Sequence, residues 1–176
     1  GVVQSPEAFR LANAGQQALY TQKRVSATWP DGSLRWVQAQ LPVKTSTKSI
    51  SLAFSKDSAR PTGKNTVKES EDGLSVAAER VSFRVGSGDP ITAIKYHDKT
   101  LLNGIQLAVE TVGKSVLGTN DDWQVVEEGP FHTRLLLQGR FEGLDSSLGT
   151  YALYASVYHG LPYIKLWFRY FNDTEL

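Results

Sequence analysis

Acidic residues are the first candidates for catalysis in this sequence, and their spacing is not that of a glycosidase. Glycoside hydrolysis needs two carboxyl groups about 5–10 Å apart across a sugar cleft. Glu127 and Glu128 are adjacent, so on a strand their side chains point to opposite faces. Other acidic residues lie in loop-like sequence: Asp121, Asp122, Glu69 and Glu71. We interpret all of these side chains as solvated surface charges.

Residues that could transfer protons are present without a recognisable arrangement. His97, His132 and His159 show no metal-ligand spacing such as H-x-x-x-H, and we expect them on polar strand surfaces or in loops. β-Elimination from a uronate needs a tyrosine or lysine base and a cation. Tyr158, His159 and Arg169 supply these residue types, but nothing in their order selects them. The sequence therefore predicts no catalytic residue, no metal site and no cofactor.

Aromatic and basic residues alternate near the end of the chain, with the chemistry of a sugar-binding surface. On the predicted strand Tyr163–Phe171, alternation places five side chains on one face: Tyr163, Lys165, Trp167, Arg169 and Phe171. The preceding predicted strand places Tyr154 and Tyr158 together on one of its faces. Aromatic rings stack on sugars, and guanidinium or ammonium groups pair with uronate carboxylates. If the two aromatic faces coincide, they form a platform suited to acidic polysaccharide.

The same aromatic surface could instead serve one of two protein contacts. Aromatic-rich strands can be buried on both faces when another sheet or domain covers them, so the surface could dock a further part of a longer chain. It could also mediate self-association. The surface is therefore a candidate sugar site, a candidate interdomain interface and a candidate contact between copies of the chain.

Two tryptophans flank a predicted tight turn in the first part of the chain. The segment WPDGSLRW, residues 29–36, contains a proline with a fixed φ, an aspartate acceptor and a glycine free to adopt positive φ. We expect a structural anchor in which both tryptophans are buried and Arg35 makes a cation–π contact. Contact of Trp29, Arg35 and Trp36 with a ligand is the alternative.

Short β-rich runs separated by Gly, Pro, Asn and Asp surround these motifs and predict an all-β protein. Only Pro6–Ala14 has a helix-forming composition. Because the strands follow one another closely, we expect antiparallel neighbours. The predicted strands are Gln22–Thr28, Leu34–Leu41, Ser49–Phe54, Leu74–Ala78, Arg80–Val85, Ile94–Tyr96, Ile105–Val112, Trp123–Glu128, Phe131–Glu142, Thr150–Tyr158 and Tyr163–Phe171.

A polar segment divides the chain into two predicted domains. Lys56–Asp72 has a single aliphatic residue, Val67, and we interpret it as a linker or a long surface loop. We predict a small β-barrel over residues 1–62 and an antiparallel β-sandwich-like domain over 68–176, truncated at its C-terminus. The first barrel strands look shortened, because little β pattern precedes Gln22.

Composition excludes several classes of function. The chain has 19 Lys and Arg against 18 Asp and Glu, a net charge of +1 and no basic cluster, which argues against binding to nucleic acid. It has no cysteine, which excludes thiol catalysis and thiolate metal sites. No apolar run approaches the roughly 20 residues needed to span a bilayer, so we expect no membrane span.

Three motifs in order resemble the N-terminal part of the exo-rhamnogalacturonan-lyase-like family of bacterial polysaccharide-degrading proteins. The segment at 29–36 is followed by VVEEGP at 125–130 and by YHGLPYIK at 158–165, before Asn172. The resemblance covers the chain from about Val25 to Asp173. It implies a small N-terminal β-barrel of the RIFT type, followed by a second β-rich region.

The same resemblance implies a function. The resembling proteins are longer, and their lyase chemistry is expected downstream of this chain. We therefore expect a non-catalytic accessory or scaffold region of an exported bacterial polysaccharide-degrading enzyme. The implied partners are acidic polysaccharide and a downstream domain of the same parent chain, in a secreted, cell-surface or periplasmic location. The alternative is a protein–protein interaction module of a surface, secretion or phage-tail assembly.

Overall fold

Antiparallel β-strands form nearly all of the regular structure in the computed structural model, which describes residues 3–43, 47–55, 63–86, 88–142 and 147–172. Every strand pair in these ranges is antiparallel, as the short connections predict. The all-β fold class is therefore confirmed. The chain divides into two units, Gly1–Thr62 and Gly63–Leu176.

The first unit contains two small sheets. It begins with a 3-10 helix, Pro6–Ala8, which is capped where the Glu7 N–H donates to the Ser5 hydroxyl at 3.2 Å. Its strands are β1 (Arg10–Asn13), β2 (Ala18–Leu19), β3 (Gln22–Thr28), β4 (Leu34–Gln40) and β5 (Ile50–Ala53). Strand β1 pairs with β2 and β5, and β3 pairs with β4.

The second unit contains two larger sheets. A meander in the order β10-β9-β8-β7-β6 forms the first, and the order β11-β12-β14-β15-β16 forms the second, with β13 also paired to β14. The strands of the meander are β6 (Thr66–Ser70), β7 (Gly73–Ala77), β8 (Val81–Val85), β9 (Ile91–Tyr96) and β10 (Lys99–Ile105). The others are β11 (Ala108–Thr111), β12 (Lys114–Asn120), β13 (Gln124–Glu127), β14 (His132–Glu142), β15 (Ser147–Tyr158) and β16 (Ile164–Phe171).

Residues that alternate along the strands of both sheets build the core of this unit. One buried cluster joins the meander to β14 and β15: Val76, Phe83, Val85, Ile91, Leu135, Ala155 and Val157. A second buried cluster lies farther along β14 and β15: Leu137, Phe141, Tyr151 and Leu153. The two sheets therefore pack face to face as a sandwich, and the opposite face of β14–β16 is left for other contacts.

A buried amide joins the start of the meander to the second sheet. The Asn65 side-chain amide donates to the carbonyl oxygens of Phe131 (3.2 Å) and Val157 (3.4 Å) and to the Thr133 hydroxyl (3.3 Å). The Asn65 backbone N–H also donates to the Pro130 carbonyl at 3.1 Å. These bonds fix the entry to β6 against the β14–β15 pair.

Two regions fold differently from the sequence-based prediction. The helix-forming composition of Pro6–Ala14 yields one 3-10 turn followed by strand β1, because Arg10–Asn13 pairs with β5 along its whole length. Strands β1 and β2 both precede Gln22, so the barrel strands at this end are present where the sequence pattern suggested shortening. Tertiary pairing overrides local propensity here.

The predicted linker Lys56–Asp72 is shorter than expected. Strand β6 lies inside it, with the single aliphatic residue Val67 opposite Val76 on the core face. Residues 56–62 of the linker lie outside the described ranges. The sequence pattern also missed β12 and most of β10, and it merged the end of β10 with β11, because polar residues and glycines dilute the alternation there.

A glycine in β14 makes room for a buried tyrosine. The Tyr151 ring lies over Gly139, and its hydroxyl donates to the Thr119 carbonyl at 3.2 Å and also contacts the Asn120 side chain. A Cβ on Gly139 would lie 2.5 Å from the Tyr151 ring and would overlap the Thr119 carbonyl oxygen.

We predict that Gly139→Ala destabilises the second unit by about 1–3 kcal/mol, the usual cost of forcing extra volume into a packed core. Urea unfolding monitored by far-ultraviolet circular dichroism measures this change. Gly88→Ala is the matched control, because its Cβ would meet nothing within 4 Å, and it should unfold like the unaltered chain. Equal stability of the two variants would contradict the packing of Tyr151 against Gly139.

Candidate functional site

The register between β15 and β16 brings the predicted aromatic faces together. Tyr154 lies directly opposite Trp167. Directly opposed residues of an antiparallel pair project from the same face of the sheet. Arg169 and Lys165 therefore share the face of Tyr154, because they pair with Ala152 and Ser156, two residues to either side of it.

Ring and cation contacts connect these side chains. The Tyr154 and Trp167 rings are 6.1 Å apart between centroids, and the Tyr158 and Tyr163 rings are 6.0 Å apart. The Arg169 guanidinium lies 4.3 Å from the Trp167 ring centroid and 5.7 Å from that of Tyr154. We call this surface the aromatic–cationic face and define it by six residues: Tyr154, Tyr158, Tyr163, Lys165, Trp167 and Arg169.

The aromatic–cationic face is open to solvent among the described residues. Tyr163 is 50% exposed and Trp167 is 49% exposed, and Lys165 and Arg169 are also exposed. Two small residues of β15 on this face are buried: Ser156 lies between the two ring pairs, and Ala152 lies opposite Arg169, so the large side chains project above them. Such a surface presents ring faces and cations to an incoming ligand.

Strand β14 adds a cation that the sequence pattern did not reveal. Arg134 lies opposite Ser156, which in turn lies opposite Lys165, so the three residues form one row across the sheet. The Arg134 Nε donates to the Ser156 hydroxyl at 3.3 Å. Alternation along β14 would have placed Arg134 on the polar face, but only the pairing shows that this face adjoins the aromatic residues of β16.

A buried acid–histidine pair lies beneath Tyr158. Oε1 of Glu127 is 3.2 Å from Nδ1 of His132, and both side chains are almost completely buried. The Tyr158 ring stacks on the His132 imidazole with 4.6 Å between centroids and 15° between planes. The predictions of a solvated Glu127 and a surface histidine at 132 are therefore wrong.

A β-bulge accounts for the burial of Glu127. Val125 pairs with Leu135, but the next residue of β14, Arg134, pairs with Glu127, so Val126 is an extra residue in β13. The extra residue turns Glu127 onto the face of His132, whereas regular alternation would have placed it on the other face. The sequence does not mark the bulge, and the burial of the pair depends on it.

The surroundings of Tyr158 change the pKa of its phenol. Burial raises the pKa of Tyr158 above its ordinary value of 10.0, while the nearby Arg134 charge acts in the opposite direction. Burial also raises the pKa of Tyr151 above 10.0. Neutral phenols are therefore favoured in the folded state.

We predict that stability falls as the pH rises above about 10, because both phenols lose protons more readily in the unfolded chain. Their contribution is fully present below the unfolded pKa and is lost as the pH rises through the folded pKa. Urea unfolding across this range should show a smaller loss for Tyr158→Phe than for the unaltered chain. An identical loss in both would show that Tyr158 is not involved.

We predict that Glu127→Ala destabilises the fold by about 1–3 kcal/mol, because it removes a buried carboxyl group that contacts His132 and leaves a space in its place. The neighbouring Glu128 is exposed, so Glu128→Ala is the matched control and should change stability little. Urea unfolding of the two variants at neutral pH tests this difference. A larger loss for Glu128→Ala would contradict the assigned burial.

The turn between β3 and β4 is held by its own polar groups. The Gly32 N–H donates to the Trp29 carbonyl at 2.9 Å, with Gly32 at φ +81°, and the Trp29 N–H donates to the Ser33 carbonyl at 2.8 Å. Asp31 accepts hydrogen bonds from the Ser33 hydroxyl (2.6 Å) and N–H (2.9 Å). The hydroxyl bond, followed by the backbone bond, lowers the pKa of Asp31.

The tryptophans flanking this turn are not the buried pair that the sequence pattern predicts. Trp29 is 50% exposed and Trp36 is 64% exposed. The expected cation–π contact is present, with the Arg35 guanidinium 4.6 Å from the Trp29 ring centroid. Hydrogen bonds within the turn fix its shape without tryptophan burial, which leaves both rings available at the surface of the first unit.

Comparison with known proteins identifies a domain class for the first unit. Residues 1–56 match the family model described as the PcRGLX-like N-terminal RIFT barrel domain. The resemblance to the N-terminal region of rhamnogalacturonan-lyase-like proteins is therefore confirmed over this part of the chain. The later motifs, at 125–130 and 158–165, lie outside the match. No curated protein matches the chain.

Two kinds of feature are absent from the described ranges. No helix there is long and apolar enough to cross a membrane. The same ranges contain no group of three or more His, Cys, Asp or Glu side chains placed to hold a metal ion.

Proposed function

We propose that this chain is a non-catalytic accessory region of an exported bacterial polysaccharide-degrading protein, and that its aromatic–cationic face binds acidic polysaccharide. The RIFT barrel match at residues 1–56 supports the accessory role. The β15–β16 register supports the binding role, because it gathers the aromatic rings and cations of two strands on one face.

The order of side chains along β16 suits a chain of uronates. Tyr163, Lys165, Trp167 and Arg169 are two residues apart in succession, which spaces neighbouring groups by about 6.5–7 Å. Rings and cations therefore alternate along the strand, and Arg134 adds a third cation in the row of Lys165. Ring faces would stack on the sugars while the cations pair with their carboxylates.

The Glu127 carboxyl group, which contacts the histidine stacked on Tyr158, is placed for a structural role. Glu127 is buried against His132, on which the Tyr158 ring stacks. In the pairing of β13 with β14, Glu127 lies opposite Arg134. A catalytic carboxyl group must reach the sugar, and this one lies below the surface. This arrangement supports a role for the aromatic–cationic face in binding sugar and not in catalysing its cleavage.

Titration with a galacturonate hexamer, followed by ¹H–¹⁵N NMR, tests the binding proposal. We expect chemical-shift changes at Trp167, Arg169 and their neighbours, and weaker binding as the salt concentration rises. Arg169→Gln should weaken binding about 10- to 150-fold, because it removes a charge-assisted contact worth roughly 1.5–3 kcal/mol. Trp167→Ala should also weaken it.

Matched variants and a neutral sugar separate this site from the alternatives. Arg80→Gln removes an exposed arginine from another turn and should leave binding unchanged. Trp36→Ala tests the exposed rings of the first unit, and loss of binding in that variant alone would move the site there. Equal affinity for cellohexaose would overturn the role of the cations, and release of unsaturated product would overturn the non-catalytic role.

An interaction module is the second candidate function, and the exposure of β16 on both faces favours it. On the face opposite the aromatic–cationic face, Leu166 is 40%, Phe168 44% and Tyr170 45% exposed. Sugar binding would use one face only, so the exposure of these apolar side chains favours a protein contact. Binding to a protein in the absence of any response to glycans would favour this function.

A further inference from the structure

Strand β16 is an open edge of the second sheet. It pairs with β15 on one side, and no strand of the described ranges pairs with its other side. The pairing with β15 runs from Thr150–Phe171 to Val157–Ile164 without a register shift. A regular edge of this kind presents a row of backbone donors and acceptors to any strand of suitable chemistry.

The other terminal strands of the two sheets carry features that discourage pairing. Strand β6 carries Lys68 and Glu69. Strand β10 carries Lys99 and has a register shift between Thr100 and Leu102. Strand β11 is only four residues long. Charges, bulges and short length are the usual protection of an edge. Strand β16 carries Lys165 and Arg169 on one face, but it is eight residues long, unbulged and apolar on the other face.

The side chains of β16 are suited to a second copy of the same strand. An antiparallel pair of identical strands about a two-fold axis keeps each face on its own side, so odd-numbered residues meet odd and even meet even. A pair centred on Phe168 places Trp167 opposite Arg169 of the second copy and Leu166 opposite Tyr170. The cation–π contact between Arg169 and Trp167 that exists within one chain would then form between chains as well.

The positive charges of β16 favour this register over the one centred on Trp167. A pair centred on Trp167 would place Lys165 directly opposite Arg169 of the second copy, and like charges directly opposed are destabilising. Strand β16 carries no acidic residue that could relieve this repulsion. The register centred on Phe168 would separate the cations and would place the two Phe168 rings against each other.

We infer that two copies of this chain pair through β16, antiparallel and centred on Phe168, to form one continuous sheet. This inference rests on the second candidate function and names its partner. It does not require sugar binding, because a strand added at the edge extends the aromatic–cationic face without covering it.

The absence of cysteine from the chain allows a direct test of the register. Single-cysteine variants are oxidised without glycan and run on non-reducing gels. Phe168→Cys should give a disulfide-linked dimer, because residue 168 faces its own copy, whereas Trp167→Cys alone should not. Mixing Trp167→Cys with Arg169→Cys should restore the link. A linked dimer from Trp167→Cys in preference to Phe168→Cys would overturn the register.

Sedimentation equilibrium of the unaltered chain tests the dimer itself. We expect a concentration-dependent dimer, weakened at least about tenfold by Phe168→Lys, which replaces an apolar contact by opposed charges. Leu101→Lys alters a leucine that is 63% exposed on the edge strand β10 and should leave the dimer unchanged. A monomer at all concentrations, growth beyond a dimer, or equal effects of the two variants would overturn the inference. Because no glycan is present, these outcomes are independent of the polysaccharide proposal.

Discussion

The uninterrupted register between β15 and β16 is the constraint on which the surface chemistry of the second unit depends. Side chains of a strand alternate between faces, so a slip by one residue would carry Trp167 and both cations of β16 to the core face. The pairing of Tyr154 with Trp167 prevents this slip, because the alternate residues of β15 belong to the buried core. The same strand pairing therefore determines which side chains form the core and which form the aromatic–cationic face.

Alternation alone predicted part of this arrangement. It indicated which residues of β15 and β16 share a face within each strand, and it predicted the bounds of β3 without error. It did not show that the two aromatic faces coincide, because that depends on pairing between strands. It also missed Arg134, whose position in the same row as Lys165 arises only when β14, β15 and β16 are in register.

The wrong predictions have two physical causes. Glu127 and His132 have the polarity of surface residues, but one extra residue at Val126 turns the glutamate towards the histidine, and the Tyr158 ring covers the pair. Trp29 and Trp36 have the size of core residues, but the turn is fixed by hydrogen bonds to Asp31 and needs no aromatic core. Local composition does not record such long-range or self-sufficient contacts.

The Asn65 amide has a consequence for the order in which the second unit folds. Its three side-chain hydrogen bonds span 66, 68 and 92 residues of sequence, so each must close a long loop. The meander β6–β10 consists of local hairpins and needs no such closure. During synthesis it would emerge first, with its apolar face uncovered until β14 and β15 arrive. Completion of the sandwich is thus a step of high contact order, and such steps are slow in β proteins.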